Sequence, residues 1–127
     1  MAGEKVLIVE DNAANMELAT DLLDAAGYIV LQSENAEIGI ETAKTEQPAL
    51  ILMDVGLPGM DGLTAVGILL QDEQTRDIPV VVVTAHAMKG DQEKAMQSGC
   101  AGYITKPIDT RAFSKTVAAY IEAAKSN

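Results

Sequence analysis

The sequence predicts an α/β fold, a doubly wound five-stranded parallel sheet, and three observations carry that expectation. Five short apolar runs recur, at Val6–Val9, Tyr28–Leu31, Leu50–Met53, Val80–Val83 and Gly102–Thr105. Three of them are nearly continuous Val, Ile and Leu, as strands covered on both faces are. Stretches with apolar residues at helical spacing separate the runs, so strand and helix alternate five times.

The elements follow in order. After the first run, Met16, Ala19, Leu22, Leu23 and Ala26 share one helical face, and Gly27 supplies a stop. Ala36, Ile40 and Ala43 mark a second helix, and Leu63, Val66, Leu69 and Leu70 a third. A fourth runs from about Lys89 to Ser98 and ends at Gly99; a fifth carries Phe113, Val117, Tyr120, Ile121 and Ala124. With five such units the flavodoxin-like strand order 2-1-3-4-5 is expected. That order sets strands 1 and 3 together where the winding reverses, and ligands bind there, beyond the carboxyl ends of the strands.

The bulk composition bounds the function. A chain of 127 residues holds one ordinary domain, so residues 1–127 are expected to form a single domain with no output domain attached. The net charge of -10 and the lack of a Lys/Arg cluster argue against nucleic acid and anionic membrane as partners. The single cysteine, Cys100, cannot form an internal disulfide, which suits a reducing compartment. Apolar runs such as Leu50–Met53 are too short to span a bilayer, and the start of the chain has no signal-peptide shape. A cytoplasmic location is the expectation.

The chemistry is read from the residues after each strand. Glu10 and Asp11 follow the first run and Asp54 follows the third, so three carboxylates converge on one crevice. Like charges so close resist joint ionisation unless a cation lies among them. Mg2+, a hard ion that takes carboxylate, water and phosphate oxygens, fits best. Each acidic loop alone reads equally well as solvated acids or helix caps; together, on adjacent strands, they favour the cation site. Thr84 follows the fourth run as a hydroxyl donor or simply a turn cap. Lys106 follows the fifth, where its ammonium reaches a phosphate or Asp54, although a lone lysine is usually a surface residue. A cis Lys106–Pro107 bond would aim that lysine. Gly56, Pro58, Gly59, Asp61 and Gly62 make the loop after Asp54 rich in turn residues, with carbonyls available to a metal.

Together these pieces resemble the response-regulator receiver family of two-component systems. The likeness runs from Lys5 to about Ile121 and is carried by Val6–Asn12, Leu52–Asp54, Leu57–Gly62, Ile78–Val80 with Thr84–Ala85, and Gly102–Pro107. Residues Ala85–Asp91 also resemble DivK-like single-domain receivers and the receivers of hybrid kinases. The resemblance implies that Asp54 accepts a phosphoryl group from a histidine kinase or histidine phosphotransfer protein. It implies that Asp11, Asp54 and the Gly56 carbonyl hold Mg2+, for which Mn2+ can substitute, with Glu10 reaching it through water. Lys106 and Thr84 would bind the phosphoryl oxygens, and Thr84 with Tyr103 would form the switch. On this view the chain is a phospho-acceptor rather than an enzyme acting on separate substrates. A downstream protein would dock on helix 4, strand 5 and helix 5, near Met88, Tyr103 and Arg111. Tyr103 also reads as a half-buried edge aromatic with no moving part.

The sequence departs from many receivers at Gly56, where a larger polar residue is common. That position and His86 tune phosphoryl lifetime in the family, but His86 alone reads as a surface residue. Met16, Met53, Met60, Met88 and Met96 read as core or loop filling, and Cys100 as a small buried apolar residue. Three competing readings are weaker. A haloacid-dehalogenase-type phosphatase needs a second acid where Gly56 stands, and flavodoxin needs a phosphate loop where Glu10–Asp11 repel phosphate. An unphosphorylated receiver-like scaffold remains as the alternative. The Met1 start and polar tail favour a free-standing protein over a piece of a hybrid kinase.

Overall fold

The computed structural model describes residues 3–57, 59–85 and 89–125, without the side chains of 89–92. The readings placed on Pro58, His86 and Met88 lie outside the described residues. The elements are β1 (Lys5–Val9), α1 (Ala13–Ala25), β2 (Ile29–Ser33), α2 (Ala36–Glu46), β3 (Leu50–Asp54), α3 (Gly62–Gln71), β4 (Val80–Thr84), α4 (Lys89–Gln97), β5 (Gly102–Thr105) and α5 (Phe113–Lys125). All strand pairs are parallel, in the order β2-β1-β3-β4-β5. The expected fold and strand order are thus both observed.

Alternation along the strands splits the core in two. Val6, Ile8, Leu50, Leu52, Val81 and Val83 face Leu23 of α1 and Phe113, Val117 and Ile121 of α5. Leu7, Val9, Ile51, Met53, Val80 and Val82 face Ile40 of α2, Val66 and Leu69 of α3 and Ala95 of α4. Such two-sided burial explains why β3 and β4 are apolar up to their last residues, Asp54 and Thr84, whereas the edge strand β2 leaves Ile29 49% exposed.

Helix ends follow local chemistry. Asn12, Asn35 and Asp61 cap α1, α2 and α3 by accepting from the backbone N–H groups of Asn15, Ile38 and Thr64 at 3.0, 2.8 and 2.9 Å. The α1 stop read at Gly27 is a left-handed turn with φ 97°, where Tyr28 N–H bonds Leu23 O and Gly27 N–H bonds Asp24 O. Tyr28, read as the start of a strand, belongs to this turn and is buried. One methionine reading is corrected. Met96 is 48% exposed, because α4 buries its neighbour Ala95 and the helical step turns Met96 outward. Cys100 is buried, as expected.

Candidate functional site

Strand register brings the predicted residues together. Val9 lies opposite Met53, so Glu10, one step beyond β1, comes beside Asp54, the last residue of β3. Thr84 lies opposite Thr105, which sets Lys106 just beyond the same edge. Its backbone N–H bonds Thr84 O at 2.7 Å, and the Lys106–Pro107 bond is cis, as the sequence reading anticipated.

The side chains converge. Lys106 Nζ lies 2.9 Å from Glu10 Oε1 and 3.3 Å from Asp54 Oδ2. Glu10 Oε2 accepts the Asn12 N–H at 3.2 Å, and Asp54 Oδ1 accepts the Gly56 N–H at 3.1 Å. Asp11 is exposed on the rim, yet one oxygen each of Glu10, Asp11 and Asp54 all fall within 4.8 Å of one another. Glu10 and Asp54 are each only 6% exposed, and Thr84 is buried beside them. Tyr103 is half-buried on β5, in a shallow cleft with Thr105, Pro107 and Phe113, and Arg111 is exposed.

The electrostatics follow from burial. Loss of solvent pushes the Glu10 carboxyl above its usual range, and the Asp54 charge adds to this, against the hydrogen bond from Lys106. Burial also works against the Lys106 ammonium, but the Glu10 hydrogen bond and both neighbouring carboxylates hold its pKa above the ordinary lysine value. Two buried acids therefore share one ammonium, with a third acid beside them. The residues present suit a hard divalent cation: an oxygen donor set with more negative charge than Lys106 neutralises.

The sequence reading assigned Lys106 to Asp54 or a phosphate, whereas its shorter contact is Glu10. It also missed Asn12, whose side chain caps α1 while its N–H holds Glu10. The cap was legible as an Asn before a helical pattern; the hold on Glu10 was not, because it depends on how the loop turns.

A parallel α/β sheet with a carboxylate cluster and a lysine at its switch point is the architecture of phospho-accepting receivers. The receiver domain model of response regulators matches residues 6–118, and the chain belongs to that family. It is similar to the polar-differentiation response regulators DivK of Brucella anthropi and Brucella ovis, each 44% identical over 118 residues, which are 93% of this chain and 96% of those proteins. Among solved structures, the receiver domain of the sensor histidine kinase PA1611 from Pseudomonas aeruginosa is 30% identical with a TM-score of 0.87, over 95% of this chain and 99% of that one. That structure holds a magnesium ion coordinated in its active-site cleft. The signal receiver domain of a histidine kinase from Syntrophus aciditrophicus is 26% identical with a TM-score of 0.88, over 98% and 95%. Receivers of this family work with histidine kinases in two-component systems as phospho-acceptors rather than classical enzymes. No helix among the described residues is long and apolar enough to cross a membrane.

Proposed function

We propose that the chain is a single-domain, DivK-like cytoplasmic receiver that accepts a phosphoryl group on Asp54 from a histidine kinase or histidine phosphotransfer protein. The observation that carries this is the sharing of Lys106 by Glu10 and Asp54, with Asp11 alongside. Asp11, Asp54 and the carbonyl of Gly56 would hold Mg2+, with Glu10 at one remove. When bound, Mg2+ supplies the positive charge that offsets the acids and the incoming phosphoryl oxygens.

The chain's own residues do the remaining work. Gly56 N–H orients Asp54 through Oδ1, so a carboxylate oxygen can attack phosphorus in line while the bond to the donor's imidazole nitrogen breaks. Lys106 would leave its carboxylate partners in part to meet a phosphoryl oxygen, and buried Thr84 would meet another. Thr84 and half-buried Tyr103 then form a two-state element on β4 and β5, biased by the new charge. Its readout is a protein docking on α4, β5 and α5. DNA and membrane are not partners on this reading, in keeping with the net charge of -10.

The test is intact mass after brief exposure to Mg2+ and a small phosphodonor, quenched in acid. One phosphoryl adduct on the native chain, absent in Asp54→Asn and absent without metal, is expected. An adduct that persists in Asp54→Asn would refute the assignment, and no adduct at all would favour the scaffold reading.

A further inference from the structure

Gly62 opens α3 at the foot of the loop that follows Asp54, and it is buried. Its φ is not among the positive values that call for glycine, which occur at Gly3, Gly27, Gly59 and Gly99. Alanine would also be the better helix former at that position. What excludes a side chain is space. A Cβ at Gly62 would overlap the carbonyl oxygen of Asp54, and would lie 2.9 Å from its carbonyl carbon and 3.0 Å from Val55 Cα. These are backbone atoms of the end of β3 and the turn that follows it, so no rotamer change relieves the clash.

The contact bears on the acceptor directly. Gly62 N–H donates to Val55 O at 3.3 Å, and Gly56 N–H donates to Asp54 Oδ1 at 3.1 Å, so the loop is pinned at both ends around Asp54. The carboxylate's bonds to Gly56 and Lys106, at 3.1 and 3.3 Å, already sit at the long end of the hydrogen-bond range. A shift of about 0.5 Å in the Asp54–Val55 peptide is enough to lose them. We propose that Gly62 is a positioning residue: its missing side chain lets the first turn of α3 rest on the Asp54 backbone, and that seat sets the height of the carboxylate. The assignment rests on the phospho-acceptor reading and adds to it a determinant outside the charged cluster.

The chain supplies its own controls. A Cβ at Gly67, in the same helix, would meet nothing within 4 Å. A Cβ at Gly39 would press on the Val9 side chain at 2.7 Å, a comparable crowding against core rather than against Asp54. The experiment is Mg2+ calorimetry and phosphorylation rate for the native chain, Gly62→Ala, Gly67→Ala and Gly39→Ala, with the Gly56 amide proton shift recorded in metal-free protein. In Gly62→Ala, affinity and rate should each fall about tenfold or more, since misplacing a reacting group by an ångström costs on the order of 10²-fold. The Gly56 amide resonance should move. Gly67→Ala should match the native chain, and Gly39→Ala should lose thermal stability while keeping Mg2+ affinity within about twofold.

Gly62→Ala with native affinity and an unmoved Gly56 amide, whatever its melting temperature, would overturn the proposal. If that variant does not fold, Asp61→Ala decides, because it removes the cap that holds the first turn of α3. Weaker Mg2+ binding there supports the seat, and unchanged binding overturns it. The native chain separates the two levels: if it binds no Mg2+, the acceptor reading fails; if it binds and Gly62→Ala binds equally, only the role of Gly62 fails.

Discussion

At the amino ends of the strands, Lys5 lies 3.0 Å from Glu46 and Lys125 lies 2.9 Å from Glu4. At the carboxyl ends, Lys106 is shared by Glu10 and Asp54, with Asp11 close by. The residue types are the same, and the difference lies in burial. Lys5 and Glu46 keep 40% of their side-chain surface in water, and Lys125, 45% exposed, is reached by both Glu4 at 2.9 Å and the exposed Glu122 at 3.9 Å. Such pairs add little to stability and weaken in salt. At the second end Glu10 and Asp54 are buried and share one ammonium, with exposed Asp11 beside them, so the apo state holds charge that a cation or a proton relieves. An excess of buried like charge marks a binding site, whereas solvated surface charge marks solubility.

Lys106→Met should break this comparison most severely. It leaves two buried carboxylates without their ammonium, and the metal-free protein should lose about 1–3 kcal/mol at neutral pH. The full cost of an orphaned buried charge is not expected, because the Lys106 side chain keeps 18% exposure and water can enter. Urea midpoints with a chelator present would measure it; a midpoint equal to the native one would mean that Lys106 does not hold the acids together.

The two ends should also differ in the sign of their pH dependence. Desolvation raises Glu10 above its ordinary 4.5, so it binds its proton more tightly folded than unfolded. Its contribution is complete below about 4.5 and is lost as pH rises through the raised folded value. Metal-free protein should therefore weaken as pH climbs through that window, and Glu10→Gln should flatten the fall. Glu4 behaves oppositely. The hydrogen bond from Lys125 lowers its pKa, so its contribution is present above 4.5 and is lost as pH falls through the lowered value. Glu4→Gln should remove that acid-side loss and leave the fall set by Glu10 unchanged. Urea midpoints across pH decide both, and identical profiles for Glu10→Gln and the native chain would remove Glu10 from the account.

The smallest effect is expected at Lys5→Met. Its exposed pair with Glu46 should be worth at most about 1 kcal/mol at low ionic strength and less in salt. A larger loss that survives high salt would mean that this end is not the simple surface it resembles.

Legibility in the sequence followed the same division. Strands buried on both faces announce themselves as nearly continuous Val, Ile and Leu, so β1, β3 and β4 were readable locally. The converging acids were readable once strand order was inferred, because parallel register carries Glu10 to Asp54. What was not readable depends on distances across elements. That Lys106 favours Glu10, that Asn12 holds Glu10, and that Gly62 abuts Asp54 have no local signature. The end of α2 is another case. Gln47 takes a left-handed φ of 50° where glycine is usual, and its side chain donates to Lys44 O and, across to the α3–β4 loop, to Gln74 O. Nothing in the α2 pattern signals that remote partner.

The central claim is that surplus carboxylate at the carboxyl ends makes a cation site organised on Asp54. Mg2+ titration calorimetry tests it most directly, with the native chain, Asp54→Asn and Glu4→Gln in parallel. One saturable site on the native chain, unchanged in Glu4→Gln and weakened about tenfold or more in Asp54→Asn, is the predicted result. Equal binding by Asp54→Asn and the native chain, or no saturable binding by either, would contradict it.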